Sequence, residues 1–153
     1  METYTMGSCR FVFNHFLAVR RDQWYANHQS VTYNQTAALL TDLKRREEIC
    51  WLKEVDSMAL QESLRNLDTA YKNFFEKRAK YPRFKSKHCH NQSYRTRNQT
   101  NGIRFIDGKL KLPKIGLVKI KQSRDFEGRI LNATVSRTAS GKYFVSLCVE
   151  QDI

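Results

Sequence analysis

The chain has 153 residues, enough for one domain or two small ones, and a formal net charge of +12. All of that charge lies in the second half, because residues 1–75 contain nine Lys/Arg and nine Asp/Glu, whereas residues 76–153 contain 18 Lys/Arg and six Asp/Glu. No stretch approaches the roughly 18 apolar residues of a membrane-spanning helix, so we expect no membrane partner and predict a polyanionic one, above all nucleic acid.

The first half of the chain predicts three helices that pack as a small bundle. The first covers residues 8–27, with Phe13, Phe16, Leu17 and Trp24 on its apolar side. The second begins near Thr32, where the sequence TYNQ fits a capping box, and continues to residue 48.

The third predicted helix, residues 57–80, carries the clearest apolar stripe. Its members recur at intervals of four, three, four and three residues: Leu60, Leu64, Leu67, Tyr71 and Phe74. Asp56 is the predicted N-cap, and Pro82 prevents the helix from continuing.

After Pro82 the apolar period changes to two, which predicts strands. The predicted strands cover residues 92–97, 102–106, 109–112, 117–121, 129–137 and 142–149. DG at residues 107–108 and SG at residues 140–141 are hairpin-turn signals. The sequence therefore predicts an α+β fold, with a helical domain over residues 1–81 and a small OB-like antiparallel β-barrel over residues 82–153.

Alternation within the predicted strands separates cations from apolar side chains. Ile103 and Phe105 face away from Arg104, and the next two strands alternate in the same way. The cations that this pattern places outside the barrel are Arg104, Lys109, Lys111, Lys119 and Lys121. They are candidates for phosphate binding, although lysines on an outer face also protect edge strands from pairing.

A second group of cations lies between residues 77 and 97, a stretch without acidic residues. Its members are Lys77, Arg78, Lys80, Arg83, Lys85, Lys87, Arg95 and Arg97. Tyr81, Phe84 and Tyr94 lie between them, and such rings offer stacking faces to unpaired bases. The pattern predicts phosphate contacts, and a flexible basic linker is the alternative.

Other polar groupings are weaker signals. The sequence NQTN at residues 98–101 offers groups that can read base edges, or forms only a turn. His88, Cys89 and His90 are the one metal-like grouping, but no second cluster completes a tetrahedral site. No carboxylate pair is spaced for two-metal or acid–base chemistry, so we predict no catalytic centre, metal or cofactor. Scattered cysteines without a secretory signal predict reduced thiols and a cytoplasmic location.

Eight segments, in chain order, are RFVFNHFL (residues 10–17), TYNQT (32–36), WLKEVD (51–56), ALQ (59–61), LRNLDTAYKNFF (64–75), PRFK (82–85), SYRT (93–96) and KLPK (111–114). They resemble the transposon-encoded TnpB (OrfB) proteins, in the order in which that family carries them. The resemblance covers nearly all of the chain. It implies a protein of a bacterial insertion sequence whose relatives are RNA-guided DNA endonucleases.

The family resemblance also implies a fold and a set of contacts. It implies a helical recognition domain inserted into a wedge β-barrel, which together grip guide RNA and guide–target duplex and read a short DNA motif beside the target. The positions that it implies for contact with that motif are Tyr33, Gln61, Gln99, Thr100 and Asn101.

Three departures from the family pattern limit what the resemblance implies. METYTM replaces the family's first strand, so we expect the barrel to lack that strand. The sequence reaches Ile153 before a GIDxG strand with the first catalytic Asp, which Asp152 precedes, and neither zinc-ribbon CxxC occurs. We therefore expect an amino-terminal portion that binds guide RNA and target DNA without cleaving. A helix-turn-helix-like DNA-binding regulator and an inactive remnant are the alternatives, and the oligomeric state stays open.

Overall fold

A computed structural model describes residues 2–87, 92–99, 101–122 and 125–151. Its helices are α1 (Glu2–Asn27), α2 (Tyr33–Lys44), a 3-10 helix (Glu47–Glu54) and α3 (Ser57–Phe75). Its strands are β1 (Gln92–Arg97), β2 (Arg104–Ile106), β3 (Lys109–Leu112), β4 (Gly116–Val118), β5 (Arg129–Arg137) and β6 (Tyr143–Glu150). The α+β class predicted from the sequence is confirmed.

Helices α1 and α3 lie side by side and run in the same direction. The Cys9 thiol donates a hydrogen bond to the Ala59 carbonyl oxygen, with 3.6 Å between sulfur and oxygen. About three turns further along both helices, the guanidinium carbon of Arg20 lies 4.4 Å from the centroid of the Tyr71 ring. The predicted apolar faces of the two helices meet between these contacts, and they supply the centre of the bundle core.

The amino-terminal end of α1 differs from the prediction. The helix includes residues 2–6 of the METYTM segment, and Thr5 and Met6 are each only 4% exposed. Trp24, predicted to lie on the apolar side, is 49% exposed. It lies four residues beyond Arg20, which contacts Tyr71 near the end of α3.

The helix ends follow local capping. The Gln35 amide donates to Thr32 Oγ1 (3.3 Å) and the Thr32 amide donates to Gln35 Oε1 (2.9 Å), which is the predicted capping box. Asp56 caps α3 by accepting a hydrogen bond from the Met58 amide (3.1 Å). Helix α2 ends at Lys44 rather than at residue 48, because the following 3-10 helix turns to bury Leu52.

The strands form two antiparallel three-stranded sheets, with orders β1-β5-β6 and β2-β3-β4. Within the described residues no single barrel closes around them. Strand β4 ends at Val118, because β3 offers only Leu110–Leu112 as its pairing partners. Lys119 and Lys121, predicted to lie in this strand, therefore follow it.

The helical and β parts share one core. Thr96 Oγ1 donates a hydrogen bond to Asp56 Oδ2, and Arg97 Nη2 lies 3.4 Å from Glu62 Oε1. Buried residues of the helices and of both sheets belong to the same cluster. The domain boundary at Pro82 stays a prediction.

Candidate nucleic-acid interface

The basic segment, residues 77–87, leaves α3 through a motif that usually places glycine where Lys77 lies. The Arg78 amide donates to the Asn73 carbonyl (2.8 Å) and the Lys77 amide to the Phe74 carbonyl (3.0 Å), which are the two bonds of a Schellman motif. Lys77 has φ 62°, in the left-handed region. A residue with a Cβ costs about 1 kcal/mol or more there, so this lysine lowers stability while it places a cation at the surface.

The path of the basic segment is fixed by contacts with the bundle. The hydroxyl oxygens of Tyr81 and Tyr71 are 3.0 Å apart. Further along, the Asn14 side chain accepts from the Lys85 amide (2.7 Å) and donates to the Lys85 carbonyl (2.9 Å). The Lys85 ammonium lies 4.4 Å from the centroid of the Phe13 ring. These contacts argue against the flexible-linker alternative for residues 81–85.

All the predicted phosphate ligands of this segment are exposed. They are Lys77, Arg78, Lys80, Arg83, Lys85 and Lys87. Arg78 pairs with Glu76 at 2.9 Å, but both side chains are exposed. Exposed pairs of this kind contribute about 0–1 kcal/mol, so a phosphate can replace the carboxylate at little cost.

A cavity of about 390 Å³ lies where the basic segment passes between α1, α3 and β1. Arg10, Lys85 and Arg95 contribute cations to its lining, and Phe84 contributes a ring. The basic segment and the first strand therefore share one concave surface rather than two separate faces.

Strand β1 alternates as the sequence predicts. Tyr94 and Thr96 are buried, whereas Arg95 and Arg97 are exposed. Arg95 Nε donates to Thr134 Oγ1 on β5, with a distance of 3.4 Å. Arg97 is partly engaged by Glu62, so Arg95 is the more available of the two for a phosphate.

The open face of the β1-β5-β6 sheet, which carries Arg95 and Arg97, also carries residues that sequence reasoning missed. They are the polar residues Asn132, Thr134 and Ser136 on β5 and Ser146 on β6, and the aromatic residue Phe144 on β6. Phe144 is 54% exposed. Polar residues alternate with apolar ones in the sequence ILNATVSR, and that alternation is the signal that identifies this face.

The second sheet presents like charges directly opposite each other. Arg104 on β2 pairs with Lys111 on β3, and Lys109 lies on the same face, two residues before Lys111. Opposed side chains in antiparallel strands have Cβ atoms about 4.5–5.5 Å apart, and like charges there are destabilising. A bound anion removes that repulsion. Lys119 and Lys121 are exposed beyond the end of β4.

Tyr33, one of the predicted motif-contacting residues, contacts Arg65 on the helix that carries a second one, Gln61. The Arg65 guanidinium carbon lies 4.6 Å from the centroid of the Tyr33 ring. Arg65 is four residues after Gln61 on α3, so both project from one helix face. Tyr33 and Gln61 are half-buried and Arg65 is exposed. Sequence reasoning missed Arg65, and its spacing from Gln61 was the available signal.

The loop after β1 carries Gln99 and Asn101, which are both exposed. Asn98 anchors this loop, because its side chain donates to the Ile103 carbonyl (3.1 Å) and the Ile130 carbonyl (2.8 Å). Asn101 has φ 60°, a left-handed conformation that asparagine tolerates. Thr100, the remaining predicted contact, lies outside the described residues.

The anchored loop and the Tyr33–Gln61 surface approach the same end of α3. The loop starts directly after Arg97, and Arg97 pairs with Glu62, the residue that follows Gln61. The structure thus brings Tyr33, Gln61 and the loop to the amino-terminal half of α3. The cations of the second sheet lie on a separate sheet from Arg95 and Arg97.

Comparison with known proteins gives one family match and three similar relatives. A helix-turn-helix domain family of OrfB proteins (HTH_OrfB_IS605) matches residues 3–29. The "Putative RNA-guided DNA endonuclease InsQ" of Escherichia coli (strain K12) is 38% identical over an alignment of 155 residues that covers 96% of this chain and 36% of the relative. A "Putative RNA-guided DNA endonuclease" of Streptomyces pristinaespiralis is 40% identical over 152 residues, covering 97% of this chain and 37% of the relative. The "Virulence protein VsdF" of Salmonella dublin is 32% identical over 91 residues, covering 54% of this chain and 76% of the relative.

The chain belongs to the TnpB (OrfB) family. It spans 36–37% of the length of the two endonuclease relatives. The segment that matches the helix-turn-helix family falls almost entirely on α1, a single continuous helix. In this member of the family, that helix gives one face to the bundle core.

In the part of the chain that the structure describes, few side chains are placed to bind a metal or to act as nucleophiles. No three His, Cys, Asp or Glu side chains there come close enough to hold a metal ion. His88, Cys89, His90 and Asp152 lie outside that part. Cys9, Cys50 and Cys148 are free thiols, and burial raises the pKa of the Cys9 thiol to about 11. None of the described helices is both long and apolar enough to cross a membrane.

Asp56 is the buried charge that joins the two parts of this TnpB-family chain. Its side chain is 6% exposed, caps α3 and accepts the Thr96 hydroxyl. Burial raises the pKa of the Asp56 carboxyl, while the hydrogen bonds from Thr96 and Met58 and the charges of Lys114 and Lys44 oppose that rise. The interface therefore depends on a carboxylate whose ionised form is only partly compensated.

Proposed function

We propose that this chain is the nucleic-acid-binding portion of a TnpB-like RNA-guided protein. Its basic half holds guide RNA and guide–target duplex through phosphate contacts. The surface formed by Tyr33, Gln61 and the loop of residues 99–101 contacts the DNA motif beside the target. In this division of labour, base pairing supplies most of the sequence recognition and the protein reads only a few bases.

The observation that carries the proposal is the Arg104–Lys111 pair. Two cations placed opposite each other on a sheet destabilise the folded chain unless an anion lies across them. Exposed cations of the basic segment and of β1 extend the positive surface, and the names of two relatives describe RNA-guided endonucleases.

The first test measures affinity across a salt series. The probe is a 20-base-pair RNA–DNA heteroduplex of arbitrary sequence, because backbone contacts do not depend on sequence. If about 6–10 phosphates are contacted, raising salt from 50 to 200 mM weakens binding by about 10³–10⁵-fold. An affinity that does not change with salt concentration, or the absence of binding, overturns the proposal.

A matched pair of variants assigns the effect to the basic half. Lys109→Gln removes one predicted phosphate contact and lowers the magnitude of the salt slope by about 0.7–0.9. Lys53→Gln makes the same change at an exposed position of the 3-10 helix and leaves the slope unchanged. Equal slopes for the two variants contradict phosphate binding by β3.

Motif reading needs a separate assay. Duplex DNA with a randomised segment of a few base pairs, placed beside the heteroduplex, is selected for binding and sequenced. The unsubstituted protein enriches one short motif, and Gln61→Ala relaxes the preference at one position by about 1–3 kcal/mol while the salt slope stays the same. Identical enrichment by both proteins removes Gln61 from the reading surface.

One alternative function has a specific observation in its favour. The family match over residues 3–29 is to a helix-turn-helix domain, which in other proteins reads duplex DNA directly. A regulator of this kind enriches a motif from plain duplex DNA without RNA, whereas the proposed module does so only beside a heteroduplex. In neither case do we expect this chain to cleave DNA in the presence of Mg²⁺.

A further inference from the structure

Exposed aromatic rings are concentrated at one end of the helical bundle. Ten large apolar side chains are exposed in the part of the chain that the structure describes, and five of them belong to this region. The five are Trp24 (49% exposed), Tyr25 (75%), Phe75 (68%), Tyr81 (37%) and Phe84 (50%). Single exposed apolar residues need no explanation, but a group of neighbouring rings usually marks a binding surface.

Because α1 and α3 pack in parallel, the rings of Trp24 and Phe75 lie at the same level along the bundle. Arg20 contacts Tyr71, and Trp24 and Phe75 each lie four residues further along their helices. Four residues make about one turn, so Trp24 projects from nearly the same helix face as Arg20, and Phe75 from nearly the same face as Tyr71. The Phe75 ring also stacks on Tyr71, with centroids 6.4 Å apart.

The chain that follows α3 holds Tyr81 against that helix, and the Phe84 ring, which also lines the cavity, has its centroid 5.2 Å from the guanidinium carbon of Arg21, three residues before Trp24. The Tyr81 hydroxyl lies 3.0 Å from the Tyr71 hydroxyl. Phe74 packs edge-on against Tyr81 at 5.1 Å and against Phe75 at 5.3 Å between centroids. Rings held in this way lose little conformational freedom when a ligand stacks on them.

The charge around the rings distinguishes a protein partner from a nucleic-acid partner. The exposed cations Lys77, Arg78, Lys80 and Arg83 lie in the sequence among these rings. The neighbouring acids Asp22 and Glu76 are each within 3.3 Å of an arginine nitrogen. Protein interfaces are depleted of lysine at their centres, whereas surfaces that bind single strands combine cations with stacking rings. The surface therefore complements a polyanion.

We propose that this aromatic end of the bundle, defined by Trp24, Phe75, Tyr81 and Phe84, stacks unpaired bases of single-stranded nucleic acid. The inference rests on the proposed function and adds a ligand class to it, because phosphate contacts alone do not require rings. The phosphates of the strand lie on the cations of residues 77–83, and consecutive bases lie on the rings.

The main test compares two probes with the same charge. A uridine 20-mer and an abasic 20-mer carry equal phosphates, but only the first has bases. We expect the uridine strand to bind about 5- to 150-fold more tightly for each base that stacks. Bases that stack on Trp24 also quench its fluorescence. Trp24→Phe keeps a ring, so it retains the affinity and loses that quenching.

Substitutions separate stacking from general apolar contact. Phe75→Leu keeps apolar volume and removes the aromatic face, so it reduces the preference for uridine over abasic strand, whereas Phe75→Tyr retains the preference. Tyr4→Leu removes an exposed ring from the opposite end of α1 and leaves the preference unchanged. Circular dichroism melting confirms that each variant is folded.

Each other outcome overturns the inference in a distinguishable way. Salt-dependent binding of both probes with equal affinity removes base stacking and leaves the proposed function intact. Failure of both probes to bind removes both proposals. A change in the sedimentation coefficient of Phe75→Leu, with unchanged affinity for both probes, identifies a protein contact at this surface instead.

Discussion

The helical and β parts of this chain share one core but differ in net charge and in secondary structure. Residues 1–75, which contain the four described helices, have no net charge, cap two helices with Thr32 and Asp56, and bury long apolar stripes. Residues 76–153 contain the two small sheets and all of the surplus positive charge. The long apolar helix stripes therefore lie in the first part, and the charge that attracts a polyanion lies in the second.

The junction shows how the two parts depend on each other. Strand β1 lies at the edge of its sheet, and α3 covers it through the Asp56–Thr96 and Glu62–Arg97 contacts. The loop that carries Gln99 and Asn101 starts at this covered strand. A few polar contacts thus hold the loop that we propose reads bases, and we expect substitutions there to affect both stability and motif preference.

Asp56→Ala is the substitution with the largest expected effect. It removes the N-cap of α3 and leaves the Thr96 hydroxyl buried without its partner. The two losses together cost about 2–4 kcal/mol of unfolding free energy. Urea unfolding at pH 7 measures this, and a cost below that of a surface substitution contradicts the assigned role.

Asp56→Asn sharpens the same test through pH. Because the folded-state pKa of Asp56 is raised, the native state binds its proton more tightly, and Asp56 reduces stability as pH rises from about 3.8 through the folded-state pKa. The amide is neutral and can still contact Met58 and Thr96. Its stability relative to Asp56 therefore increases between pH 4 and pH 7, and a pH-independent difference refutes the raised pKa.

Thr32→Ala tests whether the helical part acts only as support. The change removes the hydrogen bond from the Gln35 amide to Thr32 Oγ1, keeps the backbone N–H of residue 32 that donates to Gln35 Oε1, and costs about 1 kcal/mol. Thermal melting measures the loss, and the salt slope for heteroduplex binding stays the same because no phosphate contact is removed. A reduced slope places part of the phosphate surface at the start of α2.

Local patterns predicted much of this fold correctly. The capping box, the Asp56 cap and strands β1, β3 and β5 depend on short-range sequence and were confirmed. The end of α3 was placed too late because Lys77 occupies a position typical of glycine. Nothing in the composition of residues 76–80 signals that stop.

The candidate site was less predictable, because it depends on residues distant in sequence. Arg65 packs on Tyr33 across two helices, and Glu62 engages Arg97 from another part of the chain. Neither pairing produces a periodic signal. The two separate sheets likewise depend on which strands pair, and alternation alone does not specify that choice.

Lys77→Gly is expected to have opposite effects on stability and binding. Glycine adopts the left-handed conformation without strain, so unfolding free energy rises by about 0.5–1 kcal/mol after the added freedom of the unfolded chain is subtracted. The salt slope falls in magnitude by about 0.7–0.9, because one cation is lost. Lys77→Asn is the matched control, because asparagine also tolerates the left-handed conformation and the variant loses the same charge. Lys53→Gly is not a suitable control, because it places a glycine inside the 3-10 helix.

Lys111→Gln has the smallest expected effect on stability, and that effect comes from a single pair of opposed charges. Removing one member of the opposed Arg104–Lys111 pair relieves repulsion, so unfolding free energy rises by about 0.2–0.5 kcal/mol at low salt. Arg104→Gln does the same, and the double variant gains no more than either single one, because the repulsion disappears with the first substitution.

Heteroduplex binding ranks these proteins differently, because each lost cation weakens it: the unsubstituted protein binds most tightly and the double variant most weakly. Raising salt abolishes the stability gain, because screening acts on the pair in the unsubstituted protein. Strictly additive stability changes in this double-mutant cycle mean that the two cations do not interact, and an anion between them is then not required.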